Sequence, residues 1–172
     1  MTGPQASRDA RGPLRVAVVG VGYLGRHHAR ILSALPGVEL AAVVDINRAR
    51  ADEVAAATGA RAYTDARDIA STMEVDAVTI AVPTDAHAEV ALPFLERGVA
   101  TLLEKPMARS IAEADALIAA ASRSGATLGV GHTERYNPAI AAALPHVTTP
   151  KFVEVHRLGV FPERSLDIDV VF

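Results

Sequence analysis

Short apolar runs rich in β-branched residues alternate along the chain with segments of helical spacing. LRVAVVG begins at Leu14 and ends on Gly20; with one polar residue near its start, it predicts a strand buried on both faces. In YLGRHHARILSAL, Leu24, His28, Ile31, Leu32 and Leu35 recur as one helical face would, and Pro36 and Gly37 supply the stop. VELAAVVD predicts a second strand. Asn47 suits the N-cap of NRARADEVAAATG, with Gly59 as its close, and ARAY is a short extended piece before Asp65 opens a brief helical turn. VDAVTIAV, residues 75 to 82, reads as the next buried strand. Thr84 or Asp85 caps a helix through Arg97 and Gly98, and VATLLE is a strand. Ser110 and Glu113 have the spacing of a capping box ahead of IAEADALIAAASR, and ATLGVG closes the series.

Strands alternating with helices over roughly 120 residues predict parallel βαβ units with right-handed crossovers, hence an α/β fold with a doubly wound Rossmann-type sheet. Residues 1–13 read as a disordered tail and residues 14–131 as a dinucleotide-binding domain. After Gly131 the rhythm changes. Asn137 and Pro138 offer a cap and a first-turn proline for a linker helix, and KFVEVHRL alternates like a strand with one solvated face. Residues 132–172 thus predict the incomplete start of a second α/β domain.

Composition narrows the classes of partner. Half of the 172 residues are apolar and the net charge is -3, with no long block of like charge, so neither nucleic acid nor an anionic membrane has an electrostatic footprint. Cysteine is absent, which removes disulfides, thiolate zinc sites and cysteine nucleophiles. The opening MTGPQASRDARGP has no apolar h-region, and no run reaches the length of a membrane span, so a cytoplasmic protein is expected. No H-x-x-x-H, G-x-S-x-G or G-K-[ST] occurs, and His27 and His28 point to different helix faces, so no metal is expected.

GVGYLG, residues 20 to 25, is G-x-G-x-x-G placed directly after a strand and before a helix. In that setting Gly20 permits the turn, Gly22 the approach of a pyrophosphate and Gly25 the packing of helix on sheet, while the helix N-terminus faces the phosphates. Asp45 ends the second strand, where its carboxylate can accept both ribose hydroxyls of an adenosine and repel a 2′-phosphate. NAD is therefore the expected cofactor, although Arg48 and Arg50 favour NADP. Ligands of such sheets lie outside the carboxyl ends of the strands, and AVPTDAH, with Val82, Pro83, Thr84 and His87, and LLEKP, with Glu104 and Lys105, occupy two such ends. Pro83 breaks its strand and leaves the Thr84 hydroxyl at the crevice; His87 is either a contact or a capping, partly buried residue. Lys105 and Lys151 are the lysines among 17 basic residues. Pro106 biases Lys105 toward extended backbone across a bond that can be cis. Unlike arginine, a lysine can release a proton if burial lowers its pKa from about 10.4, as hydride removal from a hydroxyl-bearing carbon requires. The alternative is a surface lysine paired with Glu104.

Together, GVGYLG, Asp45, AVPTDAH, EKP and GVGHTERYNPA resemble the Gfo/Idh/MocA family of nicotinamide-dependent sugar and cyclitol oxidoreductases, over about residues 14 to 172. The resemblance implies a Rossmann domain joined to an α/β domain whose open sheet carries the substrate and often the dimer, so a homo-oligomer is expected of a full-length form. It implies that Gly20, Gly22, Tyr23, Leu24, Gly25, Asp45, Ile46, Val82, Pro83, Thr84, His87, Glu104 and Lys105 lie against the cofactor, with Lys105 assisting proton transfer. GHTERYNP and SLDIDVV are similar to the branch that oxidises the 3-hydroxyl of UDP-N-acetylglucosamine or related UDP-sugars, where Arg135, Tyr136 and Asn137 would lie near substrate. Arg135 suits a carboxylate or phosphate; a buried Arg135 paired with an acid is the structural alternative. The family's Asp-x-x-x-His element, whose histidine works with the lysine, has no counterpart before Phe172. The chain is thus expected to be an N-terminal portion of such an enzyme, inactive in this form, and the competing reading is a non-catalytic NAD-binding module.

Overall fold

The computed structural model describes residues 12–72, 75–154 and 156. The expected tail through residue 11, the SLDIDVV segment and residues 155, 157 and 158 of KFVEVHRL lie outside them.

Six strands form one wholly parallel sheet: β1 Leu14–Val19, β2 Val38–Val44, β3 Arg61–Tyr63, β4 Ala77–Ile80, β5 Ala100–Leu103 and β6 Leu128–Val130. Their order across the sheet is β3-β2-β1-β4-β5-β6. The chain therefore reverses direction between β3 and β4 and opens a crevice at the carboxyl ends of β1 and β4, the switch point of a doubly wound fold. The strands are short because glycine, proline or a polar residue ends each apolar run: β4 stops at Ile80, ahead of Pro83, which has no N–H to give to a ladder.

Helices cover both faces. On one, α1 Gly25–Ala34 and α2 Arg48–Thr58 close over Val18, Val21, Leu40 and Val43. On the other, α3 Ala66–Thr72, α4 His87–Glu96 and α5 Ile111–Ser124 bury Ile69, Phe94, Leu95 and Leu117 against Val19, Val44, Ile80 and Leu103. Burial on both faces is why the strands lack a polar alternation. Three of the expected caps form: the Asn47 side chain accepts from Arg50 N–H, the Ser110 hydroxyl from Glu113 N–H, and Asn137 from Ala139 N–H at the start of α6 Pro138–Ala143. The cap expected of Thr84 or Asp85 does not, because both fall in a 3₁₀ turn and α4 starts after Ala86 without a side-chain cap. The Glu113 carboxylate, however, takes the N–H of Arg109 and not that of Ser110.

Two expectations need correcting. In α1, Leu24, Ile31 and Leu35 are exposed, and the contact line is made by Gly25 and Ala29 with Leu32 partly buried. A Cβ on Gly25 would lie 1.7 Å from the Gly20 carbonyl oxygen. The helix thus runs so close to the loop that only small residues fit between them, and the longer side chains fall outside. In KFVEVHRL, Lys151–Glu154 is not strand, and Phe152 and Val153 are exposed. Among the described residues no strand lies beside it to take its backbone hydrogen bonds. No described helix is long and apolar enough to cross a membrane.

Candidate functional site

The glycine loop turns at Gly20, where φ is +82° and a Cβ would meet the Ala81 backbone at 2.8 Å. That contact draws the ends of β1 and β4 together and is open only to glycine. Gly22 differs: a Cβ there would meet only Arg50 Nη1, at 3.7 Å, so its backbone faces open space. Unlike α2, α5 and α6, α1 begins without a side-chain cap, and it has no acid in its first turn. An uncapped helix end beside an accessible glycine backbone fits a pyrophosphate. Tyr23 and Leu24 lie on the outer side of the loop, both exposed, with Arg26 packed over the Tyr23 ring.

Asp45 follows β2 and is buried. Its Oδ2 accepts the N–H of Val21 at 3.1 Å and its Oδ1 that of Asn47 at 2.9 Å, so the backbone of the glycine loop is tied to the carboxylate. Arg50 Nη1 lies 3.2 Å from Oδ2, with the Arg50 side chain 47 % exposed and that of Asp45 only 5 %. The arginine is the one partner that can leave without breaking backbone structure. Arg48 pairs instead with Asp52 along its own helix, and Ile46 is 94 % exposed.

At the neighbouring strand ends the expected residues gather, in altered roles. Val82 is partly buried and Pro83 exposed. Thr84, expected to show its hydroxyl at the crevice, is buried, because the chain folds at once into a 3₁₀ turn in which the Ala86 N–H bonds to the Pro83 carbonyl at 3.0 Å. His87 is fully buried between the loops, its Nδ1 3.0 Å from the Pro106 carbonyl oxygen and its Nε2 3.1 Å from that of Val82. Both ring nitrogens face backbone carbonyl oxygens, and the single N–H of a neutral ring donates to one of them, so His87 sits between the end of β4 and the end of β5. The Lys105–Pro106 bond is cis. Lys105 itself is exposed, and among the described residues its ammonium forms no ion pair within 4.0 Å.

Glu104 takes another partner. Its carboxylate is buried, with Oε1 3.1 Å from His28 Nε2 and Oε2 3.3 Å from the Lys105 N–H, and His28 Nδ1 lies 2.8 Å from the Thr79 hydroxyl. The His28 hydrogen bond is the main cause that holds the Glu104 carboxyl below its ordinary range; burial works against it, while the charge of His28, the Lys105 N–H and the Lys105 charge work with it. Beyond β6, Thr133–Tyr136 forms a 3₁₀ turn, so Arg135, Tyr136 and Asn137 stand at the same end of the sheet as Lys105. Arg135 is exposed rather than buried, Tyr136 is 83 % exposed, and the Asn137 amide donates to Glu134 at 2.8 Å.

The sequence reading missed His28 and Thr79. The signal available was that residue 28 shares a helix face with Leu32 and sits beside Ala29, which is buried; what it meets across 51 and 76 positions was not visible. Among the described residues no group of three or more His, Cys, Asp and Glu is placed to hold a metal.

Comparison with known proteins adds to this geometry. A family model described as an oxidoreductase family with an NAD-binding Rossmann fold, GFO_IDH_MocA, matches residues 14–132. The UDP-N-acetylglucosamine 3-dehydrogenase of Acidithiobacillus ferrooxidans is 42 % identical over 159 residues, 92 % of this chain and 50 % of that protein. The scyllo-inositol 2-dehydrogenase (NAD(+)) of Bacillus subtilis is 33 % identical over 132 residues, 76 % of this chain and 39 % of that protein. Among solved structures, GenD2 from gentamicin A biosynthesis in complex with NAD superposes with a TM-score of 0.75 at 34 % identity, covering 79 % of this chain and 39 % of that one. The chain thus spans half the length of the first of these relatives, and about two fifths of the others.

Proposed function

The chain belongs to the Gfo/Idh/MocA oxidoreductase family, with its NAD-binding Rossmann fold, and from that premise we propose that it is the nucleotide-binding part of a dehydrogenase of a sugar-nucleotide hydroxyl. The observation that carries the reading is the placement of Gly22, Asp45 and Lys105 along one edge of the sheet, at the carboxyl ends of β1, β2 and β5. Asp45 accepts the adenosine ribose hydroxyls as Arg50 releases it, and the uncapped start of α1 with Gly22 takes the pyrophosphate. Bound NAD supplies the hydride acceptor. Lys105 holds the substrate hydroxyl and receives or relays its proton as the C–H bond breaks. A substrate packed over its exposed side chain provides the desolvation that makes a lysine serve as a base. Arg135, Tyr136 and Asn137 meet the substrate, the arginine facing a phosphate by its fork of donors. UDP-N-acetylglucosamine is the leading candidate, because the relative that acts on it is similar over 92 % of this chain.

Calorimetry with NAD and NADP tests the first half: NAD binds more tightly, and failure of both to bind overturns it. NADH formation with UDP-N-acetylglucosamine and the inositols, by a form extended to include a substrate domain, tests the second, and the kcat comparisons are made on that form. Lys105→Ala is expected to lower kcat about 100- to 10,000-fold, the range of general acid–base catalysis, with NAD affinity kept. A near-normal kcat removes Lys105 from the chemistry, and NAD binding without turnover on any hydroxyl substrate favours the binding module.

A further inference from the structure

We infer that His28, in the first helix, is a positioning residue for Lys105: bound to Thr79 and to Glu104, it fixes the Glu104 carboxylate beneath the Lys105 N–H and so sets the direction in which the lysine leaves β5. The inference rests on the role proposed above for Lys105. Three elements converge on the carboxylate. His28 of α1 reaches Oε1 at 3.1 Å, the Lys105 N–H reaches Oε2 at 3.3 Å, and a Cβ on Gly131, just past β6, would meet Oε1 at 3.1 Å.

An ionised carboxylate only accepts, so His28 Nε2 must be the donor toward Glu104. Its Nδ1 then accepts from Thr79 in the neutral ring or donates to it in the imidazolium, and a hydroxyl serves either way. The ring is thereby anchored at one end to β4, inside the sheet, and its other end is brought to a carboxylate beside the exposed lysine. A surface ion pair would be free to wander; this one is fixed at both ends, with side-chain exposures of 20 % for His28 and 10 % for Glu104. The strand ends that carry Thr79 and Glu104 are also neighbours in the sheet, with Ile80 opposite Leu103, so the histidine bridges two adjacent strands from outside their ladder.

Three variants separate positioning from bulk stability. His28→Gln retains a donor near the place of Nε2, His28→Asn retains only a group near Nδ1, and His28→Ala retains neither. By amide hydrogen exchange, the Lys105 N–H is expected to exchange about tenfold faster in the Ala and Asn variants, with Val18 and Val43 unchanged, and to return to wild-type protection in the Gln variant. Equal exchange at Lys105 in wild type, Asn and Gln variants overturns the inference; the Asn and Gln pair decides it even if the Ala variant does not fold. Carbon-labelled lysine gives two ε-methylene signals, Lys105 and Lys151. NAD is expected to move the first and leave the second, and His28→Asn to shrink that movement with NAD affinity held within about threefold while His28→Gln keeps it. An undiminished Lys105 response in His28→Asn also overturns the inference. If NAD does not bind the wild-type chain, the functional reading falls, and amide exchange still decides whether His28 fixes the backbone at Lys105.

Discussion

Asp45 and Glu104 are the two buried acids among the described residues, and both stand just past the end of a strand and accept a backbone N–H. They differ in the cation or donor that completes them. Asp45 is met by Arg50, a half-exposed side chain from a helix that can swing into water. Glu104 is met by His28, four-fifths buried and itself held by Thr79. A carboxylate whose partner leaves easily is suited to exchange it for a ligand's hydroxyls, and one whose partner cannot leave is suited to hold the protein's own backbone. Under the function proposed above, the same chemical group serves recognition at one end of the crevice and scaffolding at the other.

The matched amides Glu104→Gln and Asp45→Asn put that contrast at risk. Glu104→Gln replaces an acceptor by an N–H that faces a donor in a buried place, and a charged hydrogen bond is worth about 1.5–3 kcal/mol, so the melting temperature is expected to fall by several degrees in calorimetry. Asp45→Asn is expected to weaken NAD binding about tenfold, near 1.4 kcal/mol, with a smaller loss of melting temperature. If the two variants lose stability and affinity in equal proportion, the distinction between the acids is wrong.

The pH dependence sharpens it further. Because the folded carboxyl of Glu104 titrates below its ordinary range, its contribution to stability is present above the range of an unfolded glutamate and disappears as pH falls through the folded value. Wild type should therefore lose stability on acidification more steeply than Glu104→Gln, as denaturant midpoints across the acid range would report. The smallest effect is expected at Arg50. A half-exposed pair is worth at most about 1 kcal/mol, so Arg50→Gln should change the NAD-to-NADP affinity ratio by no more than about fivefold, in favour of NAD, by removing the charge that offsets Asp45. A larger change would mean that Arg50 is itself a principal contact of the nucleotide.

The fold was legible because its signals are local: uninterrupted β-branched runs, glycine or proline stops, and Asn47, Ser110 and Asn137 at helix starts. The glycine loop was legible for the same reason, since all of it lies within one turn. What escaped is what long-range packing decides. Thr84 was expected at the surface of the crevice and is buried, His87 turned out to join two loops, and the leucines of α1 point outward because Gly25 and Ala29 take the contact line. The bond from His28 to Glu104 depends on the order of strands in the sheet, which no spacing along the chain encodes.

The His87 ring has a mechanical consequence. Buried between the Val82 and Pro106 carbonyls, with the one N–H of a neutral ring to donate to either, it is a strut shared by the loops after β4 and β5. A loop that drew away from the ring would leave a buried polar atom without its neighbour, so the two loops are expected to keep their spacing when a dinucleotide binds.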